Sequence, residues 1–438
     1  MLIIVGRLRL RKSARSATGR KSMTCSATRS ENAINLRILH IIASVDPAQG
    51  GMIEGILRQD AALRKLGVSS EVASLDYTSA PFIQGISVKT HPMGHRPSRN
   101  ASRANILAHY GHTPTLIPWL EAHVHDYDCV IVNGLWNYST WAAAAVLPKS
   151  EVPYFVFPHG MMDPWFRKNY PIKHWAKQLS WFVNEGLLLR SAAGVLFTTE
   201  DERILGRNVF RGYSYKEYVV GFGTADPPQS SSVLGEAFQA TVPNLRGKKF
   251  LLVLSRIHEK KGCDLLIRAY AKYLADRPGF EFDLVLAGPD QSGWQADLQE
   301  LALNLGIADR IHWPGMLSGD AKWGAFQMAE VFVLPSHQEN FGVVVAEAMA
   351  CGTPVLISNK VNIWHEVVQS GAGFAENDDE AGTTNLIRKY FDLSTAQRQA
   401  MGELARACFV KYFDVKTSAG NLLELIRLET AGSTPKPP

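Results

Sequence analysis

The sequence predicts an α/β protein built from two doubly wound domains that face each other across a cleft. Three observations predict it. From Arg37 onward, short near-continuous apolar runs alternate with amphipathic stretches, the pattern of parallel strands covered by helices on both faces. The alternation pauses once, over "DPPQSSSVLGEAFQATVPNLRGK", which is Pro- and Ser-rich and lacks a clear period, and then restarts. A length of 438 residues suits two domains of roughly 100–200 residues each. These features divide the chain into a basic extension over 1–35 that is expected to be disordered, an N-terminal domain over 36–225 and a linker over 226–248. A C-terminal domain follows over 249–393, then helices over 394–430 expected to pack back toward the N-terminal domain.

The strand-like runs of the first half are "RILHIIASV", "SSEVASL", "CVIVNGLW", "PYFVFPHG", "GVLFTT" and "EYVVGF". Between the first two lies "GGMIEGILRQDAALRKLGV". Met52, Ile53, Ile56, Leu57, Leu63 and Leu66 fall mostly on one face of a helix there, and Gly67 stops it. The second half offers "KFLLVLSRI", "FDLVLAGPD", "RIHWPGM", "VFVLPS" and "TPVLIS".

Charge and cysteines exclude several function classes. The net charge of +5 is concentrated in residues 1–21, which hold seven basic residues and no acid; without them the balance is 39 basic to 41 acidic residues. The folded body is therefore near neutral and carries no argument for nucleic-acid binding. The extension is Arg- and Ser-rich like a transit peptide, and it also reads as a simple disordered tail or as sequence upstream of a start at Met23. The five cysteines are scattered with no CxxC pair, which disfavours a disulfide framework or a zinc site and fits a reducing, cytoplasmic compartment. No window reaches about 18 uninterrupted apolar residues, so a spanning helix is not expected.

In open parallel sheets, ligands bind beyond the carboxyl ends of the strands. Residues just after each run are therefore the candidates. Gly50 and Gly51 follow the first strand and lead into a helix, where a backbone without side chains can approach a phosphate at the positive helix end. This is not a GxGxxG, so a nicotinamide site is disfavoured. His159 follows "PYFVFP". Arg256 follows "FLLVLS", and Lys261 comes five residues on; a planar fork and a point charge together suit a diphosphate, while Lys260 reads as solvated.

Two carboxylates, Glu339 and Glu347, stand eight positions apart in "SHQENFGVVVAEAMACGTP". A helix from about Gly342 to Ala350 places Glu339 in a loop at the cleft and leaves Glu347 in an apolar helix. A lone carboxylate is costly there unless it is partnered. Its partner is either a core arginine or a ligand diol, which a carboxylate can grip with both oxygens.

This combination resembles the retaining, family 4-type glycosyltransferases of the GT-B fold, of the kind used in bacterial polysaccharide biosynthesis. The resemblance rests on the two glutamates within "PSHQENFGVVVAEAMACGTPVL", on "SRIHEKKGCDLLI", "LVLAGPD" and "PHGMMDPW", and on the Gly-Gly turn, and it covers roughly residues 37–430. It implies two Rossmann-like domains, with a nucleotide-diphosphate sugar held mainly by the C-terminal one and the acceptor by the N-terminal one. It assigns His159 and Glu339 to catalysis. It assigns Gly50, Gly51, Arg256, Lys261, Phe341, Gly342, Val343 and Glu347 to the donor, with Glu347 on the ribose. No metal or other cofactor is implied.

The implied reaction moves a hexose-type sugar from a UDP- or GDP-sugar to a glycan or lipid-linked glycan with retention, by front-face displacement. The alternatives are a soluble sucrose- or trehalose-type synthase, and a non-catalytic nucleotide-sugar-binding subunit, against which the full set of charged residues counts. The chain departs from the pattern at "VVGFGTADPP", where the family often carries an Asn-Gly turn.

Three further stretches bear on partners. The "DYD" at Asp126–Asp128 matches a metal-holding DxD, but it precedes an apolar run and so belongs at a strand's amino end, away from the cleft. The segment Pro164–Arg190 interleaves Trp165, Trp175 and Trp181 with Arg167, Lys168, Lys173 and Lys177; it reads equally as a peripheral contact on the cytoplasmic membrane face or as tryptophans in a core. "HRPSRNASR" is a second basic loop on the acceptor side, and "WPGML" with His337 is expected to shape base and sugar choice.

Overall fold

Two parallel sheets carry the fold. The computed structural model describes residues 36–47, 51–95, 110–229 and 231–431. The N-terminal sheet comprises β1 (Leu36–Ile42), β2 (Val68–Tyr77), β3 (Lys89–Gly94), β4 (Cys129–Asn133), β5 (Tyr154–Phe157), β6 (Gly194–Phe197) and β7 (Glu217–Val219) in the order β3-β2-β1-β4-β5-β6-β7. The C-terminal sheet comprises β8 (Lys249–Leu254), β9 (Phe282–Ala287), β10 (Ile311–Gly315), β11 (Val331–Leu334), β12 (Val355–Ser358) and β13 (Gly373–Glu376) in the order β10-β9-β8-β11-β12-β13. The paired strands run parallel in both sheets. The strand order reverses between β1 and β4 and again between β8 and β11, so each sheet has one switch point where a crevice opens.

The central strands are buried along their whole length, as in "CVIVN", "YFVF" and "VFVL", because helices cover both faces. Two strands were not signalled by an apolar run. They are β3, with Pro92 and mostly half-buried positions, and β13, only four residues long. Both lie at sheet edges, where only one neighbour pairs and apolar continuity is not needed.

The helices that frame the cleft and its supports are α1 (Gly51–Arg64), α2 (Pro164–Asn169), α3 (Pro171–Val183), α4 (Glu200–Gly206), α5 (Ser231–Thr241), α6 (Cys263–Asp276), α7 (Gly319–Met328), α8 (Val343–Ala350) and α9 (Val415–Ala431). In α1 the apolar face buries Ile53, Ile56 and Leu63, and Gly67 ends the turn at φ +79°.

The stretch read as a linker over 226–248 instead contains α5 over Ser231–Thr241. Leu234 is buried, and Phe238, Val242 and Leu245 are buried in the C-terminal core with Phe326, Phe250 and Leu252. Their spacing is helical, but the stripe is only three turns long and Ser and Gly residues interrupt the polar face. The close packing has a steric requirement: a Cβ on Gly324 of α7 would meet the Leu234 carbonyl oxygen at 1.9 Å.

The C-terminal helices divide. Ala405 and Cys408 of the helix Thr395–Cys408 stay in the C-terminal core. In α9, Leu422, Leu423 and Ile426 bury against Ile38, Ile131 and Phe155 of the N-terminal sheet, and each such side chain stabilises by roughly 1.5–3 kcal/mol. The 1–35 extension and residues 96–103 of the basic loop lie outside the described residues.

Candidate active site

The site is built at the β8/β11 switch point. The loop after β8 closes in a single turn over Glu259–Lys261, ended by Gly262 at φ +66°. A Cβ there would come within 2.3 Å of the Pro335 carbonyl oxygen, so only glycine lets this loop press against the loop after β11. Two hydrogen bonds tie the loops together: the His337 amide (2.9 Å) and the Ser336 hydroxyl (2.9 Å) both donate to the Lys260 carbonyl. Beside them the Lys261 ammonium and the Glu339 carboxylate form an ion pair, with side chains 12% and 23% exposed. Glu339 is pinned at its backbone too, donating to the Lys360 carbonyl and accepting from the Asn362 amide.

Gly342 opens α8 at φ +70° with no side chain over the helix end, so the first free N–H groups and the positive end of the helix dipole lie next to this loop. Val343 is the first helical residue. Phe341 is buried edge-on against Phe222 and Phe413, with ring centres 5.5 and 5.6 Å away.

Glu347, on α8, is 2% exposed. It accepts from the Lys322 ammonium of α7 at 2.8 Å, and the Arg58 guanidinium of α1 stands 3.6 Å away. Both cations are about one-fifth exposed, so they line the cleft; neither is a core arginine. Arg58 comes from the opposite domain and also pairs with Glu54.

His159, two residues past the end of β5, takes a left-handed conformation, φ +50°, followed by Gly160 at φ +76°. Such a backbone costs a non-glycine residue free energy and persists only when its surroundings impose it. Here they do. The His159 ring stacks on Phe157 at 4.3 Å and meets the Phe222 ring edge-on at 6.0 Å. Its Nε2 lies 3.1 Å from the Asn133 Oδ1, and the Asn133 amide lies 3.3 Å from His40 Nδ1. In a consistent network, Nε2–H donates to Asn133 and His159 Nδ1 keeps a lone pair. Burial, then the neighbouring His40, lowers the His159 pKa to about 3; burial lowers that of His40 to about 4. Both are neutral at pH 7.

The loop of His159 is tied to that of Glu339. Glu202, buried on α4, accepts from the Gly160 amide (2.6 Å), the Thr198 amide (2.7 Å) and the Thr198 hydroxyl (2.6 Å), and burial raises its pKa. The Asn340 amide then donates to the Thr198 hydroxyl oxygen at 3.2 Å. On the other side of Glu339, the Gln338 amide donates to the buried Asp163 carboxylate at 2.9 Å. Both neighbours of Glu339 thus hold the N-terminal domain.

Arg256 does not join the Lys261–Glu339 pair. It is exposed and donates to Gln291 at 3.2 Å. Gly51 starts α1 with open space where a Cβ would stand, and Gly50 lies outside the described residues. At the other end of the N-terminal sheet, the Asp128 carboxylate accepts from the Arg37 amide at 2.7 Å and Asp126 pairs with His123, just before β4.

Two family models match this chain: "Glycosyl transferase 4-like domain" over residues 50–211 and "Glycosyl transferases group 1" over 236–407. The chain belongs to the family 4-type GT-B glycosyltransferases. A D-inositol 3-phosphate glycosyltransferase of Streptomyces avermitilis is 35% identical over 147 residues, which cover 32% of this chain and 32% of that relative. The sucrose-phosphate synthase of Thermosynechococcus elongatus superposes with a TM-score of 0.71 at 20% identity, covering 91% of this chain and all of that one. The Anabaena HepE protein, solved with UDP and glucose, gives 0.68 at 18% identity over 89% of this chain and 98% of its own. At these identities the structural likeness speaks for the fold alone.

In this glycosyltransferase the tryptophans divide between the two sequence readings, and Lys260 departs from its own. Trp181 is 1% exposed, against Trp136 and Phe210 in the core, whereas Trp175 is 69% exposed. Lys260 is not simply solvated: its ammonium lies over the Trp165 ring at 5.1 Å, across the cleft, and desolvation lowers its pKa. Lys322, Arg58, Gln338, Asn340, Glu202 and Phe222 all shape the site and were not picked out from sequence. Gln338 and Asn340 had one signal, their position on either side of Glu339. The others come together only through tertiary contacts.

Proposed function

We propose that this glycosyltransferase moves a hexose-type sugar from a UDP- or GDP-sugar to a glycan or lipid-linked glycan, with retention and without a metal. The observation that carries the reading is the Lys261–Glu339 pair at the β8/β11 switch point, beside a buried Glu347 whose partners are cleft cations. In this reading Glu347 exchanges Lys322 and Arg58 for the ribose diol. The diphosphate takes Lys261 and the end of α8, with Arg256 swinging from Gln291. Phe341, Gly342 and Val343 supply the backbone around sugar and phosphate, and Gly50 and Gly51 let the opposite loop approach.

In the reaction the bond between C1 and the phosphate oxygen breaks. The charge that develops on the diphosphate is met by preplaced cations and helix N–H groups. The acceptor hydroxyl adds to C1 on the same face and gives its proton to the departing phosphate oxygen. Glu339, held by Lys261, grips the donor sugar. Neutral His159 contributes a hydrogen-bonding nitrogen near the oxocarbenium-like carbon. Replacing Glu339 by Gln or Lys261 by Ala is expected to lower donor turnover about 10²-fold or more. Turnover of both variants within about twofold of wild type would refute the assignment. Retention is checked by the anomeric configuration of the product.

A lipid-linked acceptor calls for a membrane surface, and α3 offers one. Ile172, Trp175, Leu179 and Val183 are 86%, 69%, 55% and 65% exposed on the face opposite Trp181. Arg167, Lys168 and Lys173 stand nearby on the surface, a combination suited to the anionic face of the cytoplasmic membrane. No helix of the described residues is long and apolar enough to cross a membrane. Flotation with anionic vesicles is expected to fail for a Trp175→Ser, Leu179→Ser double variant; flotation equal to wild type would remove the membrane contact from the reading.

A further inference from the structure

A second cavity opens beside the Lys261–Glu339 pair, with a volume of about 640 Å³ and within the size range of ligand sites. One wall is α2 and the residue after it, Trp165 and Tyr170; the other is the loop after β8, the start of α6, Trp294 and His337. The wall it shares with the reaction site is the tied pair of loops after β8 and β11. Lys260 and His337 face this cavity, while Lys261 and Glu339, one and two residues further on, form the ion pair. The position of α2 is fixed to the same loops, because Asp163 caps α2 through the Trp165 amide (2.7 Å) and accepts from Gln338.

The lining selects a chemical class. Tyr170 is 46% exposed and packs edge-on against Trp165 at 5.9 Å, and Trp294 faces it from the other domain. Among the described residues, the carboxylates of Glu259 and Asp264 make no hydrogen bond or ion pair, although both line the cavity. Two unpaired carboxylates reject an anion. Lys260, already over Trp165, disfavours a cation. The exposed part of Tyr170, which carries Lys173 over its ring at 5.1 Å, and the half-exposed Trp294, with free carboxylate acceptors beside them, suit a neutral polyol that has an apolar C–H face and a rim of hydroxyl donors. A pyranose ring is such a molecule.

We propose that this cavity is a subsite for the saccharide portion of the acceptor, holding pyranose rings beyond the one that receives the transferred sugar. The proposal rests on the transferase reading and adds to it a recognition site shared between the two domains. Trp294 and Tyr170 provide the stacking surfaces, and Glu259 and Asp264 accept hydroxyl hydrogen bonds.

The test is saturation-transfer NMR on the full chain in the presence of UDP or GDP. The probes are gluco-, manno- and galacto-saccharides of one to four units. At least one tri- or tetrasaccharide is expected to bind about tenfold or more tightly than its monosaccharide and to receive saturation on more than one ring. Trp294→Ala and, as a second and exposed position, Tyr170→Ala are each expected to weaken it about tenfold, while nucleotide stabilisation of both variants stays at the wild-type value. Length-independent binding throughout the panel overturns the proposal, as does undiminished binding by both variants. If neither nucleotide stabilises the wild type, the transferase reading falls and this one with it; intact nucleotide stabilisation with no saccharide preference rejects the subsite alone.

Discussion

Replacing Gln338 by Ala perturbs the site without touching a charged residue of it. Gln338 donates to Asp163 Oδ2 at 2.9 Å in a buried setting, and Asp163 is 9% exposed. Its other oxygen is committed to the Trp165 amide. A hydrogen bond to a charged group contributes about 1.5–3 kcal/mol net, and losing one partner leaves the carboxylate under-satisfied. When the domains part, water takes the place of Gln338, so the loss falls on the closed arrangement alone. At about 1.4 kcal/mol per factor of ten, closure is disfavoured by roughly 10- to 150-fold.

The assay is steady-state turnover with saturating donor and acceptor, alongside a fluorescence titration of nucleotide. The expected result is a kcat lower by that factor with a nucleotide Kd changed no more than about threefold, because the proposed nucleotide contacts, Lys261, Glu347 and the start of α8, lie on the C-terminal domain and do not involve Gln338. The exchanged pair, Gln338→Glu with Asp163→Asn, restores a donor and an acceptor and should recover most of the loss. An unchanged kcat, or a Kd weakened as much as kcat, would refute a role in positioning Glu339.

Three further outcomes are expected. Gly160→Ala should cost about 1–2 kcal/mol from its left-handed backbone and lower turnover as well, since the new Cβ would stand 2.8–3.0 Å from the Asn340 side chain; chemical denaturation and turnover check the two effects. Trp181→Ala should destabilise by about 3–5 kcal/mol, whereas Trp175→Ala should stay within about 0.5 kcal/mol, as read from urea midpoints. Desolvation of buried His40 and half-buried His159, with pKa values lowered to about 4 and about 3, means that their contribution to stability is level above about pH 6.5 and falls as pH drops toward those values. Each contributes up to about 1.4 kcal/mol per pH unit in that window, and His159→Gln should flatten the slope between about pH 6.5 and 5; an unaltered slope would contradict the lowered pKa of His159.

The parallel sheets were legible because strands covered on both faces must be apolar throughout, as "CVIVN" and "VFVL" are. The edge strands β3 and β13 were not, because one-sided pairing removes that requirement. α5 was hidden for a different reason: its stripe of Leu234 and Phe238, continued by Val242 just past its end, is short and lies in a Pro- and Ser-rich setting that resembles a linker.

At the site, residues following the switch-point strands could be found by rule, since the rule concerns chain position. That brought forward Lys261 and Glu339, and the same rule applied to β5 brought forward His159; it also named Arg256, which instead stands apart on Gln291. The rule could not reach Lys322 and Arg58, which meet Glu347 from two helices in different domains, nor the Glu202 carboxylate under Gly160. Those contacts depend on how the two sheets face each other, and no local spacing encodes that. Phe222 shows the cost most clearly. It lies in the stretch that departs from the family pattern, yet it touches both His159 and Phe341, and a Cβ on Gly55 would overlap its ring at 1.9 Å.

The central claim is that Glu347 and Lys261 form one donor site in which a nucleotide-diphosphate sugar displaces Lys322 and Arg58 from Glu347. Calorimetric titration of UDP and GDP into wild type, Glu347→Gln and Lys261→Ala tests it most directly. One nucleotide should bind the wild type, weaken about tenfold or more in Glu347→Gln through lost ribose contacts, and weaken at least as much in Lys261→Ala through lost diphosphate contacts. Equal affinity across all three proteins, or binding of neither nucleotide, would contradict it.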